Sequence, residues 1–236
     1  SSLQAADDDK KKKKRRRTKL PSKKAQKILQ NLQPLIEAEQ WDEAMLLLAP
    51  IGDRSSKFTS TDRSKMYYYF GYIHFSSEKY LLAEQAYKDL MNEPDSNDQE
   101  RLGSLYSLAQ LAYIREDYRG SIDYLLRWLD LEEDPSADSY ALLSTTYYQL
   151  EDFKTSVKHI VTAIEMQESR DIPITRPVLD EEGNETGEKE ETGETKKGVA
   201  KENHYLLKMA LFTELKRDLD VLPVYEILVQ HYPKKQ

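Results

Sequence analysis

The 236 residues are 39% hydrophobic and 33% charged, enough to bury one substantial core or an extended array of small ones. Sixteen Tyr against eight Gly and nine Pro point to large packing groups joined by short connections, as in a mostly helical chain. The absence of Cys excludes a disulfide framework, thiolate metal sites and a cysteine nucleophile, and no apolar run approaches the roughly 20 residues that span a bilayer.

In chain order, "SSLQAA" is small and mildly apolar and lacks an initiator Met, so it is expected to be the end of a cleaved secretory signal or an arbitrary boundary. Residues 1–24 hold eleven Lys/Arg and three Asp, a charge of +8 that leaves −15 for the remainder of a chain whose total is −7. Eight consecutive cations, Lys10, Lys11, Lys12, Lys13, Lys14, Arg15, Arg16 and Arg17, form its centre. This basic arm is expected to be disordered. It suits nucleic acid, anionic lipid or an acidic protein surface, resembles a nuclear localisation signal in form, and equally suits a solvated tail. No aromatic interleaves with the cations, so base stacking has no support and nucleic acid is disfavoured as a partner.

From residue 25 the chain repeats itself. "AEQWDEAMLLL" from Ala38, "SEKYLLAEQAY" from Ser77, "REDYRGSIDYL" from Arg115 and "LEDFKTSVKHI" from Leu150 share a polar pair, an aromatic, a small residue three further on and a large apolar one beyond. The aromatics Trp41, Tyr80, Tyr118 and Phe153 are 39, 38 and 35 residues apart, and the small residues are Ala44, Ala83, Ser121 and Ser156. A small residue lets two helices approach, and its large neighbour one turn on fills the adjacent groove. Upstream of each lies a first helix: Tyr67, Phe70, Gly71 and His74 share a face, with Leu105, Leu108, Ala109 and Ala112, then Tyr140, Leu143, Ser144 and Tyr147, in the same slots. Gly71, Ala109 and Ser144 are small where helix must meet helix. Each unit is a helical hairpin that cannot bury its apolar surface without a neighbour, and residues 25–170 hold four of them.

Residues 171–199 are rich in Gly, Glu and Thr and carry a charge of −5. Their composition predicts an inserted acidic loop, although "IPITRPVL" and "EEGN" permit a marginal hairpin. Calcium is a weak alternative there, without the regular spacing of an EF-hand, and "NET" at Asn184 matches a glycosylation sequon. Residues 200–236 resume the periodicity as a fifth pair, with Leu219 in place of the turn aromatic and Pro223 expected in the first turn of the second helix. His74, His159, His204 and His231 occur singly, without a second ligand one turn away, and are expected to pack rather than bind metal.

At these residues the chain resembles tetratricopeptide repeat (TPR) proteins. More narrowly, "LGSLYSLAQLAYIREDYRGSIDYLLRWL", "ALLSTTYYQLEDF" and "KKKKKRRRTKLPSKKAQKIL" resemble the periplasmic TPR proteins associated with TonB-type energy-transduction systems of Gram-negative bacteria. That resemblance implies a short connection at 171–199 and an aromatic at His204, and the sequence departs from both. It also implies an all-α fold, a right-handed superhelix of about five antiparallel helix pairs whose first helices line a concave surface, with no catalysis and no cofactor.

On such a surface, Tyr68, Tyr72 and Phe75 point about 100° away from the interior slots of the first helix. The equivalents are Tyr106, Gln110 and Tyr113 in the next unit, then Thr145 and Tyr148. Tyr suits recognition because a large rigid ring loses little entropy and keeps a hydroxyl free, so the groove is expected to take an extended or helical peptide segment. Two readings follow. In the first, the protein is an exported, periplasmic scaffold binding a component of a TonB-type inner-membrane complex. In the second, it is a cytoplasmic or nuclear adaptor whose arm contacts nucleic acid or acidic partners. No P-loop, nucleophile elbow, dinucleotide turn or small-molecule site is legible.

Overall fold

The computed structural model describes residues 18–53, 55 and 57–233, so Lys10–Arg17 and all that was expected of them lie outside it. The described residues form ten helices and one hairpin of strands, in the order α1 (Lys23–Glu37), α2 (Trp41–Gly52), α3 (Ser60–Ser76), α4 (Tyr80–Asn92), α5 (Asp98–Ile114), α6 (Tyr118–Leu131), α7 (Ala137–Gln149), α8 (Phe153–Glu168), β1 (Asp171–Leu179), β2 (Glu185–Lys197), α9 (Glu202–Glu214) and α10 (Asp218–His231). They divide into two compact units between Leu111 and Ala112.

Odd- and even-numbered helices are joined by one turn, used five times. Two residues before each second helix the backbone has positive φ: Glu39 54°, Glu78 58°, Glu116 62°, Glu151 59° and Lys216 55°. At the second of these, the Lys79 N–H donates to the His74 carbonyl (2.8 Å) and the Glu78 N–H to the Phe75 carbonyl (3.0 Å), and the same pair of bonds closes the other four turns. This is the Schellman ending of a helix, normally occupied by glycine and here by charged residues. The next residue is the N-cap of the second helix, and Asp117 and Asp152 use their side chains to accept from the Gly120 and Thr155 N–H groups. Trp41, Tyr80, Tyr118 and Phe153 are each the first residue of a second helix. By the same count Asp218, not Leu219, occupies that slot in the fifth pair. The helix consequently begins early enough that Pro223 lies in its second turn rather than its first.

In the first unit the core is Ala25, Leu32, Ala44, Leu48, Ile51, Phe58, Met66 and Ile73. On α3 the buried residues are Thr61, Asp62 and Ser64 near its start and Met66, Gly71 and Ile73 beyond, while Tyr67, Phe70 and His74, expected inside, are only half-buried. The reason is Tyr87: its ring lies directly over Gly71, where an added Cβ would sit 2.5 Å from the ring, so the interior is filled from α4. In the second unit the core gathers Ala137, Ile160, Ala163, Ile164, Tyr205, Leu211, Phe212, Val224 and Leu228. Ala44, Ala83, Ala109, Ser121, Ser144 and Ser156 are all fully buried. Ser144 and Ser156 exchange hydroxyl bonds with each other's carbonyls across α7 and α8, at 2.8 and 2.7 Å.

Two expectations need correction. Residues 171–199 are an antiparallel hairpin rather than a loop, paired from Asp171↔Lys197 to Leu179↔Glu185. Its glycines and glutamates concealed a row of threonines whose hydroxyls reach the opposite strand, Thr186 to the Val178 carbonyl and Thr192 to the Ile174 carbonyl. The Gly198 N–H donates to the Arg170 carbonyl (2.8 Å) and closes its base, while its side chains remain almost all exposed. Secondly, the arm does not run to residue 24. α1 begins at Lys23, and the preceding residues are held: Lys19 pairs with Asp95 (2.7 Å), and the Ser22 N–H donates to Asp62 (2.7 Å).

Candidate functional site

α3 presents Tyr68 and Tyr72 one turn apart, 37% and 42% exposed. Trp41, at the head of α2, meets the Tyr72 ring edge-on at 6.2 Å, and Tyr69 meets Tyr68 in the same way at 5.6 Å. Behind them stands the buried Tyr87, hydrogen-bonded to Ser107 of α5. Burial raises its phenol pKa against the opposing effect of the Ser107 bond, and the neighbouring Tyr68 and Tyr72 add to the rise, so it stays neutral. On α5, a Cβ built at Gly103 would meet only the Tyr68 ring edge at 3.9 Å. That glycine leaves an open flank beside the two tyrosines.

The neighbouring charges are spent elsewhere. Lys65 pairs with Glu100 (2.5 Å), and Glu100 also accepts from the Ser64 hydroxyl (2.6 Å) and the Asn97 N–H. Arg63 holds Glu93 through two nitrogens (2.9 and 3.2 Å). The acids of these pairs, and Asp62, are buried. Burial alone would raise the Asp62 pKa, but accepting from Thr59 and Ser22 outweighs it and holds the carboxyl below its ordinary range. These three acids were not singled out from the sequence. The pattern of Thr or Asn with an acid three residues on, at Thr59/Asp62 and Asn97/Glu100, was the available signal.

The eight expected groove residues fall in both units, with Tyr68, Tyr72, Phe75, Tyr106 and Gln110 in the first and Tyr113, Thr145 and Tyr148 in the second. Three of them have another task. Phe75 pairs with Tyr80 (6.0 Å), Tyr113 with Tyr118 (5.5 Å) and Tyr148 with Phe153 (5.4 Å), each spanning one of the repeated turns. They are half-buried hairpin locks, not open wall. The Thr145 hydroxyl is turned back onto the Ala141 carbonyl (2.9 Å). Tyr106 and Gln110 are half-buried on α5. The part left open is Tyr68 and Tyr72 with Trp41 beside them.

Three of the four histidines are packed, whereas His231, expected to pack as well, is exposed at the end of α10. His159 stacks between Tyr147 (5.5 Å) and Tyr140 (6.3 Å), and burial, with Lys158 adding, lowers its pKa. His204 is buried against Gln167 (3.0 Å) and is likewise lowered by burial, with Asp138 opposing. Among the described residues no cluster of His, Asp and Glu is arranged to hold a metal ion, and no helix is long and apolar enough to cross a membrane.

No family model and no curated protein matches this sequence. Solved structures do. MamA from residue 41 onward, of Desulfovibrio magneticus RS-1, is 12% identical with a TM-score of 0.60, over 89% of this chain and 93% of that one. YrrB, described as a TPR protein with an unusual peptide-binding site, is 10% identical with a TM-score of 0.61, over 88% and 86%. The C-terminal part of a TPR repeat-containing protein of Cytophaga hutchinsonii is 15% identical with a TM-score of 0.58, over 87% and 66%. At such identities the likeness is one of architecture: this chain has the tetratricopeptide-repeat fold.

Proposed function

We propose that the protein is a non-enzymatic interaction scaffold that holds a peptide segment of a protein partner on the Tyr68–Tyr72 face of α3. The observation that carries this reading is the pair of aromatic rings left exposed on a first helix and braced from behind by Trp41 and Tyr87. A fold that could seal them has instead fixed them in place, so they meet a ligand without losing further side-chain freedom. Arg63 and Lys65 of the same helix are paired with Glu93 and Glu100, so the tyrosines would make apolar contact with phenol hydrogen bonds. YrrB, of the same fold, is described as having a peptide-binding site, which accords with this use of the repeats.

The partner is assigned to a TonB-type envelope complex, and the protein to the periplasm, on the resemblance of the repeat segments and basic arm alone. The run Lys10–Arg17 favours a second reading, a cytoplasmic or nuclear adaptor whose arm engages acidic partners. A photo-crosslinking residue at position 72, followed by mass spectrometry of the adducts, tests both. Adducts with envelope transport components support the first, and adducts with cytoplasmic or nuclear proteins the second. Tyr68→Ala with Tyr72→Ala should weaken capture of the crosslinked partner at least about tenfold while the melting temperature stays within about 3 °C of wild type. Unimpaired capture, or collapse of the fold, rejects the face as a binding site.

A further inference from the structure

Leu20 is 82% exposed, yet the residues on either side of it are pinned. Before it, Lys19 pairs with Asp95 (2.7 Å). After it, the Pro21 carbonyl accepts from the Gln26 side chain (2.8 Å) and the Ser22 N–H donates to Asp62 (2.7 Å). Pro21 also restricts Leu20 to an extended backbone. The fold therefore holds this leucine out into water. Its surroundings are cationic. Lys23 and Lys27, one turn apart at the start of α1, are exposed, and Gln26 and Gln30 beside them carry no charge. Lys24 lies over the Phe58 ring (4.5 Å), next in the chain to the exposed Lys57. Among the described residues no acid pairs with Lys23 or Lys27. From Lys10 to Ile36 the sequence has twelve Lys/Arg and no Asp or Glu. The first turn of α1 holds no acid either, so its lysines oppose the helix dipole and weaken the helix that carries them.

We propose that Leu20 and the cations of Lys19–Lys27 form a contact surface for an anionic lipid bilayer, the leucine entering the interface while the lysines meet headgroup phosphates. Charge complementarity selects an anionic partner, and the fixed leucine selects the kind. A bilayer offers both chemistries in layers, anionic groups outside and apolar chains just beneath. The phosphates of a nucleic acid would take the lysines but give Leu20 nothing to enter, and no aromatic from Lys10 to Lys27 is present to stack on bases. The residues beyond 24 sum to −15, so an anionic membrane repels the remainder of the chain and confines contact to this face. The eight cations Lys10–Arg17, next in the chain, add to the attraction. One inserted side chain beside a basic run gives reversible attachment, released by salt.

Co-sedimentation of the full chain with vesicles of phosphatidylcholine containing about 30% phosphatidylglycerol tests this. The wild type should bind them, should not bind pure phosphatidylcholine, and should bind at least about tenfold more weakly at about 500 mM than at about 50 mM NaCl. Lys23→Gln with Lys27→Gln should weaken binding about tenfold, and Leu20→Ser about three- to tenfold, each with an unchanged melting temperature because the side chains are exposed. Since the chain has no cysteine, Leu20→Cys carrying a nitrobenzoxadiazole label reports depth directly. Its emission should shift to the blue with the anionic vesicles and stay unshifted with duplex DNA. Failure to bind the anionic vesicles, binding indifferent to Leu20, a label that remains in water, or tighter binding to duplex DNA at the same salt overturns the proposal. Tyr68→Ala with Tyr72→Ala should bind the vesicles as the wild type does, so the peptide face and this surface fail or stand separately.

Discussion

Gly71 and Tyr87 show how one residue sets the distance between two helices. A Cβ at position 71 would meet three atoms of the Tyr87 ring within 2.8 Å, and the Tyr87 hydroxyl is hydrogen-bonded to Ser107. Gly71→Ala should therefore cost about 1–3 kcal/mol through overpacking, despite alanine's better helix propensity. A combined change with Tyr87→Leu should recover part of that loss in a thermal melt, since the smaller side chain frees the space. The five turn residues with positive φ make the opposite case. Each holds a charged side chain in the left-handed region, at about 1 kcal/mol. Glu78→Gly relieves that cost and should raise the melting temperature by about 2–4 °C, whereas Glu78→Val should lower it.

At the scale of elements, the β1–β2 hairpin stands apart from the repeats. Its two ends are joined at the base by the bond from Gly198 to Arg170, and nearly all of its side chains face water. Its ion pairs, Arg176 with Glu190 and Lys197 with Asp171, are exposed and contribute little. Replacing residues 171–197 by two glycines should leave a cooperative unfolding transition with its midpoint within about 3 °C of wild type, followed by circular dichroism. Gly198 itself must be kept, because a Cβ there would lie 2.3 Å from the Gln167 carbonyl oxygen. The adjoining α9 is held by polar contacts, half-buried where Tyr205 bonds Glu168 and Tyr232 bonds the Ala200 carbonyl, and exposed where Lys201 pairs with Asp138 at 2.6 Å. This set explains why position 204 accepts a histidine: Gln167 satisfies its ring while burial keeps it neutral.

Across the whole molecule, three histidines share one electrostatic condition. Burial lowers the pKa of His74, His159 and His204 below the ordinary 6.5, with nearby lysines adding to the effect and, at His204, Asp138 opposing it. Below pH 6.5 the unfolded chain takes up protons that the folded one refuses, so the stability present at pH 7 is lost progressively as pH falls through these depressed values. The melting temperature should accordingly drop between pH 7 and pH 5, above the range where carboxylates titrate. A flat or rising profile would show that the three rings are hydrated. Asp62 acts at lower pH with the same sign: its depressed carboxyl stabilises the fold above its unfolded value, and that contribution goes as acid protonates it.

Much of this was legible in the chain itself, for a definite reason. Small and aromatic residues recurring every 35–39 positions record local geometry, because helix period and turn closure involve residues no more than five apart. That is why the fold class and the turn aromatics could be read directly. Tertiary structure alone decided how each ring is used, because exposure depends on residues distant in sequence. It committed Phe75, Tyr113 and Tyr148 to locking turns, filled the α3 interior with Met66, Ile73 and the ring of Tyr87, paired the threonines of 171–197 across two strands, and left Tyr68 and Tyr72 facing water.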